Sequence, residues 1–435
     1  MQLWNPVNNS RLIAFRVLFG MVMAMECIGS IANGEVNRRF IHTHYNFTFI
    51  GFDCLNVLHG KMMYAYFGVM VLVALLVSVG LFYRVTSVIL AIMWSAVYLS
   101  DKSQYNNHYY LFLLLCWLMV FVPANKRFSL DTYLKNKEPA NECHAWHINI
   151  FIFQIVVVYL FAAIAKMNND WLHAIPVRTW LYHKTGLPYI GYFLRNPIVP
   201  WIVAYGGLLF DLMIVPAMLY SKTRWAAFGV AICFHAFNSY VFEIGMFPLM
   251  ALVLFVFFFS NNFIERFVPR IDCTSNQMAP KVFLLEKIFV CLYIFVQIGL
   301  PLRHLFIKGN VTWTEEGHRL SWRMMLRSKS GVSHFKIVNH ANDSTWYIQP
   351  SEVFDSSHLM EIAVLPDVTW QAAQYLKLDY QKKQMDVAVF AINFVRLNHR
   401  DPTLFIDTTV NLGIVKWKCF KHNEWILLDD QKKND

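Results

Sequence analysis

Long, unbroken apolar runs separated by short polar stretches fill the first 305 residues of the chain. A hydrocarbon layer about 30 Å thick takes about 20 helical residues to cross. Nine runs reach or approach that length, at 12–33, 62–83, 85–100, 107–123, 147–165, 199–220, 225–241, 245–260 and 283–305. The third and eighth are the shortest, so tilt or packing within a bundle has to accommodate them, and a re-entrant segment in place of either would invert everything that follows. From about residue 306 the apolar runs shorten and charges become frequent. Strand-like alternation then predicts strands at 332–338, 344–349, 386–396 and 403–412, with a helix over 357–380 interrupted at Pro366. The pattern predicts an α-helical polytopic membrane bundle of about nine spans over residues 1–305, followed by a small extramembrane α+β domain over residues 306–435. Between the first two runs, residues 34–61 are rich in aromatics and histidine and end in F-x-F-x-G-F from Phe47 to Phe52, which suits an interfacial segment.

Composition agrees with a lipid-embedded chain. Hydrophobic residues make up 57% of it and charged residues 15%, and the mean hydropathy is +0.38. The formal charge of +10 is spread over many short loops with no long basic, aromatic-interleaved stretch, which argues against nucleic acid as a partner. Cysteines at 27, 54, 116, 143, 233, 273, 291 and 419 show no CxxC spacing and read as packing residues, so no metal is predicted. The first apolar run starts after Arg11, is long enough to span and lacks a small-residue cleavage site, so it is expected to be a membrane helix rather than a cleaved signal. With the N-terminus inside, the inner loops collect Arg11, Arg84, Lys126, Arg127, Lys135, Lys137, Lys222, Arg224, Arg266, Arg270 and Lys281. The longer outer loops hold fewer cations, so the positive-inside rule favours this orientation and an odd number of spans puts the C-terminal domain outside.

Five polar residues then fall at the same end of their helices: Asn107, His108, Lys166, Asn238 and, slightly deeper, His235. Ionisable groups gathered at one membrane depth mark a candidate functional site. In D-K-S-Q-Y-N-N-H-Y-Y-L (Asp101 to Leu111), Asn106 can cap a helix whose first turn carries Asn107 and His108. The bland alternative is a polar turn in an aromatic belt formed by Tyr105, Tyr109 and Tyr110. Lys166 ends the fifth run, where a lysine either snorkels to water or, when partly desolvated, serves as a general base. His235, Asn238 and Phe242 recur at helical spacing and share a face that could present an imidazole and a carboxamide to a bound ring, although a satisfied core histidine has the same signature. Asp211 and Glu26 are buried-helix carboxylates for which structural hydrogen bonds are the expectation.

Several of these stretches together resemble one family. R-L-I-A-F-R-V-L-F-G (Arg11 to Gly20), G-L-F-Y-R (Gly80 to Arg84), D-K-S-Q-Y-N-N-H-Y-Y-L, A-K-M-N-N-D-W (Ala165 to Trp171), G-G-L-L-F-D-L (Gly206 to Leu212) and H-A-F-N-S-Y-V-F-E-I-G-M-F (His235 to Phe247) are similar to the vitamin K-dependent γ-glutamyl carboxylases, whose membrane portion is the HTTM domain. The similarity continues through L-S-W-R-M-M-L-R-S-K (Leu320 to Lys329) and N-H-R-D-P-T-L-F-I-D-T-T-V-N-L (Asn398 to Leu412).

The resemblance implies Lys166 as the base toward a reduced naphthoquinone, Asn107 and His108 as the pair beside the quinone, and His235 as a further contact, with Asn238 on the same helix face. It implies Trp322, Met324, Met325 and Arg327 in the segment lining the substrate, Arg327 standing where the animal enzymes have histidine. Reduced vitamin K or a menaquinone-type naphthoquinone would be oxygenated by dioxygen to its epoxide. That reaction would drive removal of a γ-proton from glutamate in a protein or peptide and capture of carbon dioxide. Such strongly basic chemistry needs a water-poor site. The animal enzymes continue well beyond the point matched by Trp417 and Trp425, so propeptide recognition in their manner is not expected of a chain stopping at Asp435. Short relatives of this type look bacterial, which implies an inner-membrane protein with its site and C-terminal domain outside the cytoplasm. Two alternatives stay open: a quinone-dependent enzyme that acts on another carbon acid or only epoxidises, and a non-catalytic membrane protein that binds quinone or lipid.

Overall fold

A computed structural model of the chain describes residues 3–43, 45–134, 139–268, 270 and 283–429. Lys135, Lys137, Lys281, Cys273 and Asp435 lie outside the described residues. In chain order the bundle consists of α1 (Ser10–Ala32), α2 (Met62–Val79), α3 (Tyr83–Ser100), α4 (Asn107–Phe121), α5 (Trp146–Lys166), α6 (Val199–Leu219), α7 (Arg224–Phe242), α8 (Phe247–Leu254) and α9 (Leu284–Leu302). Among the described residues, seven helices are long and apolar enough to cross a membrane, while α4 and the apolar stretch Phe247–Phe258 that α8 opens are shorter. The expectation that the third run would be short is corrected: α3 has 18 residues and the short neighbour is α4, with 15. Pro123 explains its end, because the residue before a proline is driven out of the α region, and Val122 has ψ 145°. Asn106 caps the other end through a 2.8 Å bond from the Tyr109 N–H to its side-chain oxygen.

Two glycines explain motifs near the N-terminus. A Cβ on Gly20 would lie 2.6 Å from the Ala74 carbonyl oxygen, so only glycine lets α1 and α2 approach this closely. Gly80 has φ +70°, and a Cβ there would lie 2.7 Å from Arg16 Nη1. Arg16 is fully buried and donates to Ser78 O at 3.1 Å, to Ala124 O at 2.9 Å and to Phe128 O. It satisfies carbonyls left open where α2 and α4 end. A ribbon of β1 (Pro6–Asn8) and β2 (Glu142–His144) ties the start of α1 to the start of α5.

The C-terminal domain contains an antiparallel four-stranded sheet in the order β4-β3-β5-β6, built from β3 (Lys329–Asn339), β4 (Thr345–Ile348), β5 (Val387–Leu397) and β6 (Thr403–Leu404). Ser333, Phe335 and Ile337 are buried at period two, and Phe335 pairs with Ala391 and Ile337 with Val389. The helical stretch is split as expected into α10 (Leu359–Val364) and α11 (Pro366–Lys382). The last strand is far shorter than 403–412, because Asp407 turns the chain by accepting from the Thr409 N–H at 2.9 Å and its hydroxyl at 2.7 Å.

The domain sits on the end of the bundle where α3 finishes and α4 begins. Phe47, fully buried, belongs to the domain's core, with Phe354 5.6 Å and Tyr45 5.1 Å away between ring centroids, whereas Phe49 stacks on Tyr98 of α3 at 5.2 Å. Residues 45–49 are thus an interior strap between domain and bundle rather than only an interfacial segment. Charge adds to the seam: Asp367 at the start of α11 pairs with Lys102 at 3.0 Å and with Arg319 at 2.5 Å. Asp170, four residues beyond Lys166, accepts from Asn398 and pairs with Arg400 at 3.4 Å, so two distant sequence motifs meet.

Candidate active site

The C-terminal end of α5, the middle of α6, the C-terminal half of α7 and the first turn of α4 converge on a cavity of about 680 Å³. Its volume is that of a small-molecule site. The wall is mostly apolar, with Val177, Trp180, Phe193, Ile202, Phe237 and Phe242 among its residues. Gly206 and Gly207 keep the α6 face open, and a Cβ on Gly207 would come within 3.8 Å of Trp171.

Asn107, His108, Lys166, His235 and Asn238 all line this cavity. Lys166 is 8% exposed, donates to the Asp211 carboxylate, which is 6% exposed, and lies 5.3 Å from the centroid of the Trp171 ring. His235 Nε2 is 3.2 Å from the Tyr159 hydroxyl, and its Nδ1 is buried without a partner among the described residues. Tyr159 and Lys166 are seven residues apart and share a face of α5. Phe247 lies between the two histidines, 6.2 Å from His108 and 5.9 Å from His235 between centroids. Asn107 accepts from the Tyr105 hydroxyl at 2.9 Å and donates to the Arg323 carbonyl at 3.4 Å.

The opposite wall comes from the segment between α9 and β3, through His318, Arg323, Met324, Met325 and Arg327. This segment adopts an irregular path in which Leu320, Trp322 and Met325 have φ of 60°, 57° and 48°. Each left-handed non-glycine residue costs about 1–2 kcal/mol, so the path persists only because neighbours hold it. The Leu320 N–H donates to the Tyr105 hydroxyl at 2.8 Å, Arg303 of the turn after α9 donates to Ser321 Oγ at 3.2 Å, and Trp322 stacks on Tyr110 at 4.9 Å. Burial holds the Tyr105 phenol above its ordinary range, so it remains a donor to Asn107 and an acceptor from Leu320. Trp322 is fully buried and is not part of the cavity wall, while its neighbours Arg323, Met324 and Met325 are. Arg327 faces the cavity but is already clamped on Glu315, with Nε 2.6 Å from Oε1 and Nη2 bonded to Oε2. His318 is kept neutral well below its usual range by burial and by the charge of Arg327.

Sequence reasoning missed three groups. Asp211 was expected to make a structural hydrogen bond, with nothing to indicate that its partner is Lys166. Tyr159 carries no local signal except its seven-residue spacing from Lys166. Arg323 stands inside the S-W-R-M-M-L-R run, between residues that were singled out.

Residues 4–263 match the family model described as the HTTM domain, and residues 284–432 match the model described as the vitamin K-dependent gamma-carboxylase, lumenal domain. No solved structure matches the chain. The two models follow one another over nearly the whole sequence, in the order of the helical bundle and the domain seated on it, and the chain belongs to the vitamin K-dependent gamma-carboxylase family.

Proposed function

We propose that the protein carboxylates glutamate side chains of a protein or peptide, using a reduced naphthoquinone, dioxygen and carbon dioxide in the cavity between bundle and domain. Family membership supplies the coarser statement, a vitamin K-dependent carboxylase-like enzyme. The observation that carries the finer one is the shared cavity itself: membrane helices give it apolar walls, and the segment from His318 to Arg327 gives it a polar one. An apolar ring arriving from lipid and a charged side chain arriving from outside can meet there.

The residues fit a flat ring bearing two oxygens. The side chains of His108 and Asn238 make no hydrogen bond with the described residues and line the same space as the orphaned imidazole of His235. A reduced naphthoquinone supplies, through its reaction with dioxygen, the strong base that a glutamate γ C–H requires. In this reading Lys166 Nζ is the atom that accepts a proton, and the Asp211 carboxylate holds the side chain in the cavity wall. Asn107 and His108 orient oxygens by hydrogen bonds, and the aromatic wall of α7 and Trp180 excludes water that would quench a strong base.

The test uses purified protein with reduced naphthoquinone, labelled bicarbonate and a glutamate peptide, reading epoxide and fixed label separately. Both products support the reading. Epoxide without fixed label, over a range of glutamate peptides, reduces it to a quinone epoxidase, and neither product leaves a binding protein.

A further inference from the structure

Three basic side chains line the cavity wall, Lys166, Arg323 and Arg327, and they differ in the partner each already has. Lys166 has Asp211. Arg327 has both oxygens of Glu315, a carboxylate that also takes Lys329 at 3.4 Å. Arg323 has no carboxylate within ion-pairing distance among the described residues. Its side chain reaches only Thr312 Oγ1, at 3.5 Å from Nη2, and its Nε is buried with no partner among the described residues. Burial and the charge of Arg327 bring the Arg323 guanidinium down to about 10, so it still carries its proton at neutral pH. A half-buried guanidinium in a cavity wall with no carboxylate of its own is suited to receive an anion there, because its planar N–H donors match a carboxylate.

The backbone around it is fixed. The Arg323 carbonyl accepts from Asn107, Trp322 before it is locked on Tyr110, and the left-handed turns at Leu320 and Trp322 leave little slack. One polar link therefore joins the residue expected beside the quinone to the unpaired cation.

We propose that Arg323, rather than Arg327, receives the γ-carboxylate of the substrate glutamate, while Arg327 and Glu315 form a resident pair that shapes the wall. This assignment rests on the carboxylation reading but can fail without it. An Arg327 already clamped at both oxygens would have to release Glu315 before accepting substrate, leaving a buried carboxylate that only Lys329 could answer. Arg323 has nothing to release.

The experiment measures binding of two labelled peptides, identical except for glutamate or glutamine at the target position, to the full-length protein without quinone or turnover. The wild type is expected to prefer glutamate by about 10- to 100-fold, the scale of a hydrogen-bonded charge pair. Arg323→Gln should abolish the preference, and Arg327→Gln should retain it. Should the glutamine variant at 323 unfold, Arg323→Lys carries the test, since it keeps the charge, loses the fork and should cut the preference severalfold. A preference retained in the folded Arg323 variants and lost in Arg327→Gln overturns the assignment while the carboxylation reading stands. A preference that depends on Arg323 in a protein that fixes no label supports the carboxylate site and sinks carboxylation. No preference in the wild type overturns the assignment, while fixation of label decides the carboxylation reading separately. Competition by bicarbonate as strong as that by a glutamate peptide would assign Arg323 to inorganic carbon and overturn the proposal.

Discussion

Lys166 Nζ, at the last residue of α5, donates to the carboxylate of Asp211, midway along α6, and both groups face one cavity. A solvated anchor would instead point to water. The pairing leads to the prediction that Lys166→Arg folds, keeps its bond to Asp211 and loses epoxide formation and label fixation by at least about a hundredfold, because arginine stays protonated and cannot accept the proton. Small amines added to Lys166→Ala should restore part of the rate. Retention of most wild-type epoxidation by Lys166→Arg would make the residue an anchor and end its assignment as the base.

His108 stands in the first turn of α4, 6.2 Å from Phe247 between ring centroids, and its imidazole has no hydrogen-bond partner among the described residues. His108→Ala is expected to lower epoxide formation by about a hundredfold, the usual scale for a group assisting proton transfer or stabilising charge. Unchanged turnover in a folded variant would return the motif to a polar turn in an aromatic belt.

Asp367 is the centre of the seam between domain and bundle. Burial pushes its carboxyl up, but Arg319 and Lys102 outweigh burial and hold it at about 2. Its ordinary value is 3.8, so this contribution to stability is fully present above about pH 4 and is lost as pH falls toward 2. Burial pulls the Lys102 amine down to about 8 although Asp367 opposes it. Asp367→Asn should destabilise the protein by about 3–5 kcal/mol at neutral pH and flatten the acid limb of its unfolding curve between pH 4 and 2. An unchanged midpoint in thermal unfolding at pH 7 would show that the Asp367 cluster does not hold the seam.

Orientation is checked from outside intact cells or sealed vesicles. Cysteine introduced at Asn342, in the exposed turn between β3 and β4, should react with an impermeant reagent, whereas cysteine at exposed Lys222, between α6 and α7, should not. The reverse result would put the cavity and its domain on the inner side.

The apolar runs, the change of pattern after residue 305 and the split at Pro366 were enough to read the bundle and the α+β domain, because both follow from local rules of length and period. The site was partly readable for the same reason. Asn107, His108, Lys166, His235 and Asn238 sit at helix ends or on a helix face, and alternating spans bring such positions to one depth. The length of α4 was misjudged because a hydropathy run does not register the backbone restriction that Pro123 imposes on Val122.

What the sequence determined by itself is therefore the order of the long apolar helices, the change to an α+β domain, and the helix end or face on which each polar residue sits. Only the tertiary structure decided how charges are matched: that Lys166 takes Asp211, that Arg327 takes Glu315 and that Arg323 takes neither. Pairing depends on distances of a few ångströms between side chains far apart in the chain. The path through Leu320, Trp322 and Met325 that separates the two arginines is a left-handed backbone these residues do not favour alone, imposed by Tyr105, Tyr110 and Arg303 from the bundle.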